Sequence, residues 1–485
     1  MKLLIISIIT IFFVLYPSSI AMSQSSSCEL RKVSGIVYGN NIGLEGVAVT
    51  DGLNITSTDK NGYYELICDN EAQFVYISTP SGYAAPVESG VIRFFHHLEN
   101  NNQNMKKDFR LTKTADERNH AFVVVSDIQI LRDVEFPMLK ESINDIKNQL
   151  ETYPQDLQFH VLDCGDLVFD RLDFYPEYIS SFSDLNLPIY RILGNHDMDF
   201  HGRSHESSMK TFNKTFGPDY YSFNRGEVHY VVLNDVFFLG REYFYMGYIT
   251  ERQLEWLSRD LSYVKPGTPV VVALHIPTTY PGENFNSLNY YKLSLSLVNN
   301  SALYNILKPY NTHIVSGHNH TSASYIINEN LMEHNIPAIS GSWWQTDICP
   351  DGTPAGYVIF DVKGKDITWQ YKAVGKSITE QFAAYPQGKD SEQPDAFIVN
   401  VWKWDSQWKV EWYQDNVYKG EMERFTGKDP LISEILTDRS KFIHSWISAG
   451  DTEHLFRVFP DKEAKKIKVK VTDRFGNVYE KTVEI

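Results

Sequence analysis

Cysteine is scarce in this sequence, with four in 485 residues, at positions 28, 68, 164 and 349. Their spacing matches no zinc-knuckle pattern. Cys164 lies in an apolar strand pattern and reads as a small buried hydrophobe. Cys28 and Cys68 flank one β-rich segment, where an oxidising compartment would let them pair. Positive charge is also short: 45 Lys and Arg stand against 61 Asp and Glu, a net charge of -16. That excludes a general nucleic-acid binder, which needs a basic face. An acidic chain still takes phosphate esters if bound cations supply the local positive charge. Internal repeats and low-complexity tracts are absent. The only long apolar run is Leu3 to Tyr16, too short to span a bilayer comfortably. Lys2 precedes it and Pro17, Ser18, Ser19 and Ala21 follow, as in a secretory signal peptide cleaved near Ala21 or Ser23. The expectation is an exported protein in the periplasm or on the surface of a Gram-negative bacterium, with no transmembrane anchor after processing. Lipid attachment at Cys28 is not expected, because Ser25-Ser26-Ser27 lacks the aliphatic residue needed three positions back.

What is present describes an ordinary globular chain, with 42% hydrophobic and 22% charged residues and a high aromatic share of 14%. This length predicts two to four domains. After the signal peptide (residues 1–21), residues 22–114 read as short strands separated by the turn dipeptides Asp51-Gly52 and Asn61-Gly62, a small β-sandwich. Residues 115–376 alternate apolar strand runs with helical patterns, the mark of an α/β layered domain. Phe122 to Val125, Phe159 to Leu162, Ile189 to Leu193, Val228 to Leu233, Pro269 to Leu274 and His313 to Val315 read as its strands. Thr250-Glu251-Arg252-Gln253 reads as a capping box opening a helix. Residues 377–485 turn β-rich again, with Trp402, Trp404, Trp408 and Trp412 among polar residues, and predict a second β-sandwich.

Five short motifs fall just past the ends of central strands: Asp127-Ile128-Gln129, Gly165-Asp166, Gly194-Asn195-His196-Asp197, His275, and Gly317-His318-Asn319-His320. In layered α/β domains the carboxyl ends of strands converge on one crevice, so these residues can meet although almost 200 positions separate them. Asp, Asn and His together suit divalent cations. Each motif alone is as readily a turn, a helix cap or a core histidine; their joint order is what points to a metal site.

That order resembles the calcineurin-like metallophosphoesterase family over about 250 residues. The resemblance implies an α+β multidomain chain with a four-layer α/β/β/α central domain. It also implies a phosphoesterase that hydrolyses phosphodiesters or phosphomonoesters with water activated by two divalent ions. By the same resemblance Asp166 bridges the ions. Asp127, Gln129 and His320 complete one site, and Asn195, His275 and His318 the other. His196 acts on the phosphate and leaving group, with Asp197 orienting its ring. Gln129 departs from the family's usual histidine, and a carboxamide oxygen favours manganese, magnesium or iron over zinc at that site, manganese first. The first module, with Thr58-Asp59-Lys60-Asn61-Gly62-Tyr63, resembles carboxypeptidase-regulatory-like domains and implies a spacer or binding module. The segment around Trp343 and Trp344 resembles one found in exported bacterial family members with three domains. The pair is expected either to floor the substrate cleft or to pack on the C-terminal sandwich. The expected ligand is a phosphate ester, whether a small molecule, a lipid head group or glycan-linked. Two other readings stay open: a pyrophosphatase of nucleoside-diphosphate type, and a catalytically weakened surface- or carbohydrate-binding protein.

Overall fold

Runs of Val, Ile and Phe in the middle of the chain form strands buried on both faces. The computed structural model describes residues 31–99, 104–280 and 290–485; the expected signal peptide, Cys28 and its pairing lie outside them. One sheet runs in the order Ile189–Arg191, Gln158–Asp163, Asn119–Val125, Gly356–Lys363, Asp366–Ala373. Its first three strands are parallel, and an antiparallel hairpin completes it. A second sheet runs Tyr221–Arg225, Val228–Val232, Pro269–Ala273, Asn311–Ser316, Leu331–Asn335, Ala323–Asn328, with its four inner strands parallel.

Alternation along Asn119–Val125 decides how the layers stack, since successive side chains face opposite ways. Phe122 and Val124 join the core between the sheets, while Val123 and Val125 face outward. Phe136, Leu139, Ile143 and Ile146 of helix Phe136–Leu150 cover that outer face. Helix Glu251–Leu261 covers the second sheet with Leu254, Trp256, Leu257 and Leu261. Its N-cap is Thr250, but Gln253 turns inward to donate to the Asn234 carbonyl at 2.8 Å. The result is the expected α/β/β/α arrangement, with β-rich domains on either side.

Much of the aromatic content fills the space between the sheets. Tyr190 stacks on Phe223 at 3.6 Å, and Phe223 on Tyr230 at 4.8 Å. Histidines are buried among these layers. His120 is pushed down to about 4 and His313 to about 4, chiefly by burial, and His160 lies well below its ordinary value for the same reason. Below pH 6.5 the unfolded chain takes up protons that these native histidines refuse, so stability present at neutral pH is lost as pH falls. For a group like His120 the loss is on the order of 2 kcal/mol at pH 5. In metal-free protein His160→Phe should therefore lose less Tm, or gain more, than the parent between pH 7.5 and 5; identical pH profiles for the two would refute this account.

The first module fastens to the second sheet: Asn224 N donates to the Thr79 carbonyl at 2.8 Å, and Arg252 pairs with Asp69 at 3.1 Å. The C-terminal module is two four-stranded sheets around Phe397, Val399, Ile467 and Val469. Buried Lys403 ties it to the central domain, donating to the carbonyls of Ala323 and Asn335. Trp402 and Trp408 are buried, and Trp404 and Trp412 pack on the same module's core, so that tryptophan cluster is structural.

Candidate metal centre

The loops after strands of both sheets end at one crevice. Asp127 follows Val125, Asp166 follows Asp163, Asn195 follows Arg191, His275 follows Ala273 and His318 follows Ser316. Side chains so far apart in sequence meet only because the backbone turns sharply. Asp127, Gln129, Asp166, His318 and His320 all have φ between +48° and +72°, a region costing roughly 1–2 kcal/mol per non-glycine residue. Strain of this kind gathers at functional sites. Gly165 has φ +92°, and a Cβ there would sit 2.8 Å from His275 Nδ1. A Cβ on Gly194 would strike the Asp166 carboxylate.

At one end of the crevice three buried acceptors have no donor: Asp127 Oδ1, Gln129 Oε1 and His320 Nε2. Asp127 Oδ2 is satisfied by the Ser126 hydroxyl at 2.6 Å and His318 N at 2.8 Å, which leaves Oδ1 bare. His320 donates from Nδ1 to the Gly341 carbonyl at 3.3 Å, so its Nε2 lone pair faces Asp127 Oδ1 at 3.5 Å. Two buried acceptors facing each other repel unless a cation lies between them. Gln129 donates from Nε2 to Asp166 Oδ2 at 2.6 Å, and its oxygen is free for that same cation.

At the other end His275 donates from Nδ1 to the Cys164 carbonyl and His318 from Nε2 to the Ser294 carbonyl, each at 2.8 Å. Carbonyls cannot donate, so both tautomers are fixed. The remaining nitrogens, His318 Nδ1 and His275 Nε2, face each other at 3.2 Å. Asn195 Oδ1 lies 3.1 Å and Asp166 Oδ1 3.3 Å from His275 Nε2. Ligand atoms of Asp166, His275 and His318 all fall within 4.8 Å of one another. Burial alone would lower His275, but Asp166, Asp127 and Asp235 hold its ring protonated up to about 10; burial and that cation push His318 down to about 3. A proton occupies a position whose surroundings select a cation. The donors therefore fit two ions, with Asp166 between the groups, and the carbonyls behind each ring are the outer partners that metal-bound imidazoles require.

His196 lies at the rim, its backbone N donating to Asp166 Oδ1 at 2.8 Å. The expected role of Asp197 needs correction. Its carboxyl is buried, accepts from Gly194 N at 3.0 Å, Leu167 N at 3.1 Å and Tyr175 OH at 3.2 Å, and is pushed up to about 8 by burial and by Asp166. It braces the loop. The partner of His196 Nδ1 is Asp170, at 2.6 Å, and the ring stacks on Phe169 at 4.0 Å. Asp170 sits four residues beyond Asp166, and its place in the Asp166 loop was the only available signal.

The tryptophan pair divides. Trp344 is buried, 8% exposed, with Nε1 donating to the Ile128 carbonyl at 2.7 Å; it does not floor the cleft. Trp343, half-buried, stacks on His320 at 4.3 Å. Two further rings, His444 and Trp446, come from the C-terminal module.

Three family models match the chain: the N terminal of calcineurin-like phosphoesterase over residues 31–114, calcineurin-like phosphoesterase over 120–322, and the C terminal of calcineurin-like phosphoesterase over 333–479. No curated protein matches. Among solved structures, a dimetal phosphatase from Danio rerio is 12% identical with a TM-score of 0.38, covering 53% of this chain and 97% of its own. A purple acid phosphatase from yellow lupin (Lupinus luteus) seeds is 13% identical with a TM-score of 0.39, covering 70% of this chain and 68% of its own. A 5'-nucleotidase from Candida albicans is 10% identical with a TM-score of 0.30, covering 54% and 53%. Likeness this distant says nothing about substrate.

Proposed function

The chain belongs to the calcineurin-like phosphoesterase family and is a metal-dependent phosphoric ester hydrolase, and we propose that it cleaves phosphodiesters or phosphomonoesters outside the cytoplasm at the crevice between its two central sheets. One observation carries the reading: buried acceptors without donors at one end, and two opposed histidine nitrogens at the other, both bordering Asp166. Asp127, Gln129, Asp166 and His320 would hold one divalent ion, and Asp166, Asn195, His275 and His318 the second. Such ions supply positive charge to an anionic ester and acidify water at the site. His196 projects from the rim with Nδ1 held by Asp170, so Nε2 is the atom positioned to donate to a phosphate or leaving-group oxygen. Asp197, Ser126 and the carbonyls of Cys164, Ser294 and Gly341 fix the ligand geometry.

Purified protein incubated separately with Mn²⁺, Fe²⁺ and Zn²⁺ should hydrolyse p-nitrophenyl phosphate or bis-p-nitrophenyl phosphate. Preference for ADP-ribose instead would favour a pyrophosphatase. Absence of metal-dependent hydrolysis of all three would overturn the proposal. Export rests on the Lys2 and Leu3–Tyr16 pattern, and the N-terminal residue of protein recovered from cells tests it.

The Gln129 ion should be the weaker one, because a neutral oxygen replaces imidazole, and should favour Mn²⁺. Graded dialysis against a chelator should empty that site first. Gln129→His should tighten it and shift it towards zinc. Two ions leaving together, unaffected by Gln129→His, would make Gln129 only a hydrogen-bond partner of Asp166.

A further inference from the structure

The C-terminal module does more than pack against the catalytic domain. The segment after Arg439–Lys441 reaches the mouth of the crevice, braced by one hydrogen bond within its own module and by two to the central domain. Arg439 Nη1 donates to the Ile447 carbonyl at 2.5 Å, Ile443 N to Gln345 Oε1 at 2.8 Å, and Gly450 N to the Pro350 carbonyl at 2.8 Å. The middle anchor joins it to the turn carrying Trp343. His444 is buried, and Trp446 stacks on it at 4.3 Å with 28° between planes. Trp446 nevertheless remains 54% exposed.

Two of the rings around it lie near parallel to it and one stands across it. Phe169 lies 6.3 Å from Trp446 at 18° and 6.2 Å from His444 at 13°, and Phe169 itself stacks on His196. Trp343 stands perpendicular to Trp446, 89° at 6.3 Å, with its own face on His320. Trp446 is thus two ring contacts from His196 by one path and two from His320 by the other. An exposed indole is ordinarily disfavoured, and this one sits in a segment anchored by hydrogen bonds, near parallel to His444 and Phe169 and beside the reacting end of the site.

We infer that Trp446, backed by His444 and cornered by Trp343, is a subsite for a flat aromatic ring carried by the phosphate ester, so that the C-terminal module selects nucleotide-like or aryl esters over purely aliphatic ones. Stacking suits this surface because any planar π-system matches its face, at roughly 1–3 kcal/mol per ring. An acyl chain would gain only non-directional apolar burial there, without the face-to-face match of a planar ring. The inference rests on the phosphoesterase reading for the placement of the phosphate, but its test does not need turnover.

Adenosine 5'-monophosphate and ribose 5-phosphate share phosphate and sugar and differ in the base. Calorimetric titration of both into Mn²⁺-loaded protein, in a His196→Ala background so that hydrolysis is slowed during the titration, reads the subsite directly. The parent should bind the adenosine ester about tenfold more tightly. Trp446→Ala should bring it to the ribose 5-phosphate level while leaving ribose 5-phosphate unchanged, and Trp446→Tyr should keep most of the preference. Equal affinities in the parent, no binding of either ester, or a preference that survives Trp446→Ala would each overturn the inference. Wild-type protein that binds with this preference but hydrolyses no ester would instead refute the phosphoesterase reading alone.

Discussion

Asp166→Ala is expected to yield a folded protein that retains neither ion and has no measurable turnover. Asp166 is the one carboxylate common to both donor groups: Oδ2 takes the Gln129 amide, and Oδ1 takes His196 N and lies beside His275 Nε2. Its loss should cost far more metal affinity than the roughly 10- to 100-fold typical of an outer partner. Folding should survive, because Asp127 and Asp235 remain as acids facing His275 when Asp166 is removed. Asp166→Asn keeps the size and serves as the second variant. Elemental analysis after dialysis, with Tm as the control for folding, decides the matter. Two ions retained in both variants would show that the bridging assignment is wrong.

The candidate metal donors were legible because each stands at the end of an apolar run, where a short polar cluster has few structural explanations. Gly165 and Gly194 marked where chain segments approach too closely for a Cβ. Sequence adjacency misled at two places. Asp197 follows His196 directly, but in the tight turn Asn195–Asp197 neighbouring side chains diverge, and its carboxylate closes on Gly194 N and Leu167 N. Trp343 and Trp344 read as one aromatic pair, yet both adopt left-handed backbone (φ +52° and +59°), which sends one ring onto His320 and the other into the core. Trp446 was illegible for a different reason. It lies in an irregular segment without periodicity, and only the docking of the C-terminal module brings it near Trp343. The flanking sandwiches were visible from turn dipeptides and alternation; their hold on the centre, through Asp69 and Arg252 for the first and Lys403 and Gln345 for the second, is tertiary and leaves no local pattern.

The dyad of His196 and Asp170 gives the second large effect. His196→Ala should retain both ions, since no donor of either group is lost, while kcat falls by roughly a hundred- to ten-thousand-fold. Asp170→Asn should act through the ring it positions. Burial alone would lower His196, whereas Asp166 and the Asp170 carboxylate raise it, so Asp170 favours the protonated form that donates. Its loss should lower kcat by a smaller factor, and the double variant should be no worse than His196→Ala alone, because the two act as a unit. A merely structural role for Asp170 predicts additive losses and a lower Tm instead. The leaving group separates the cases further. An alkoxide needs a proton as the ester bond breaks, while p-nitrophenolate leaves readily without one. Both variants should therefore be impaired more on an alkyl phosphate than on p-nitrophenyl phosphate. Equal impairment on the two esters would confine His196 to holding the phosphate, and wild-type kcat in His196→Ala would remove it from the reaction altogether.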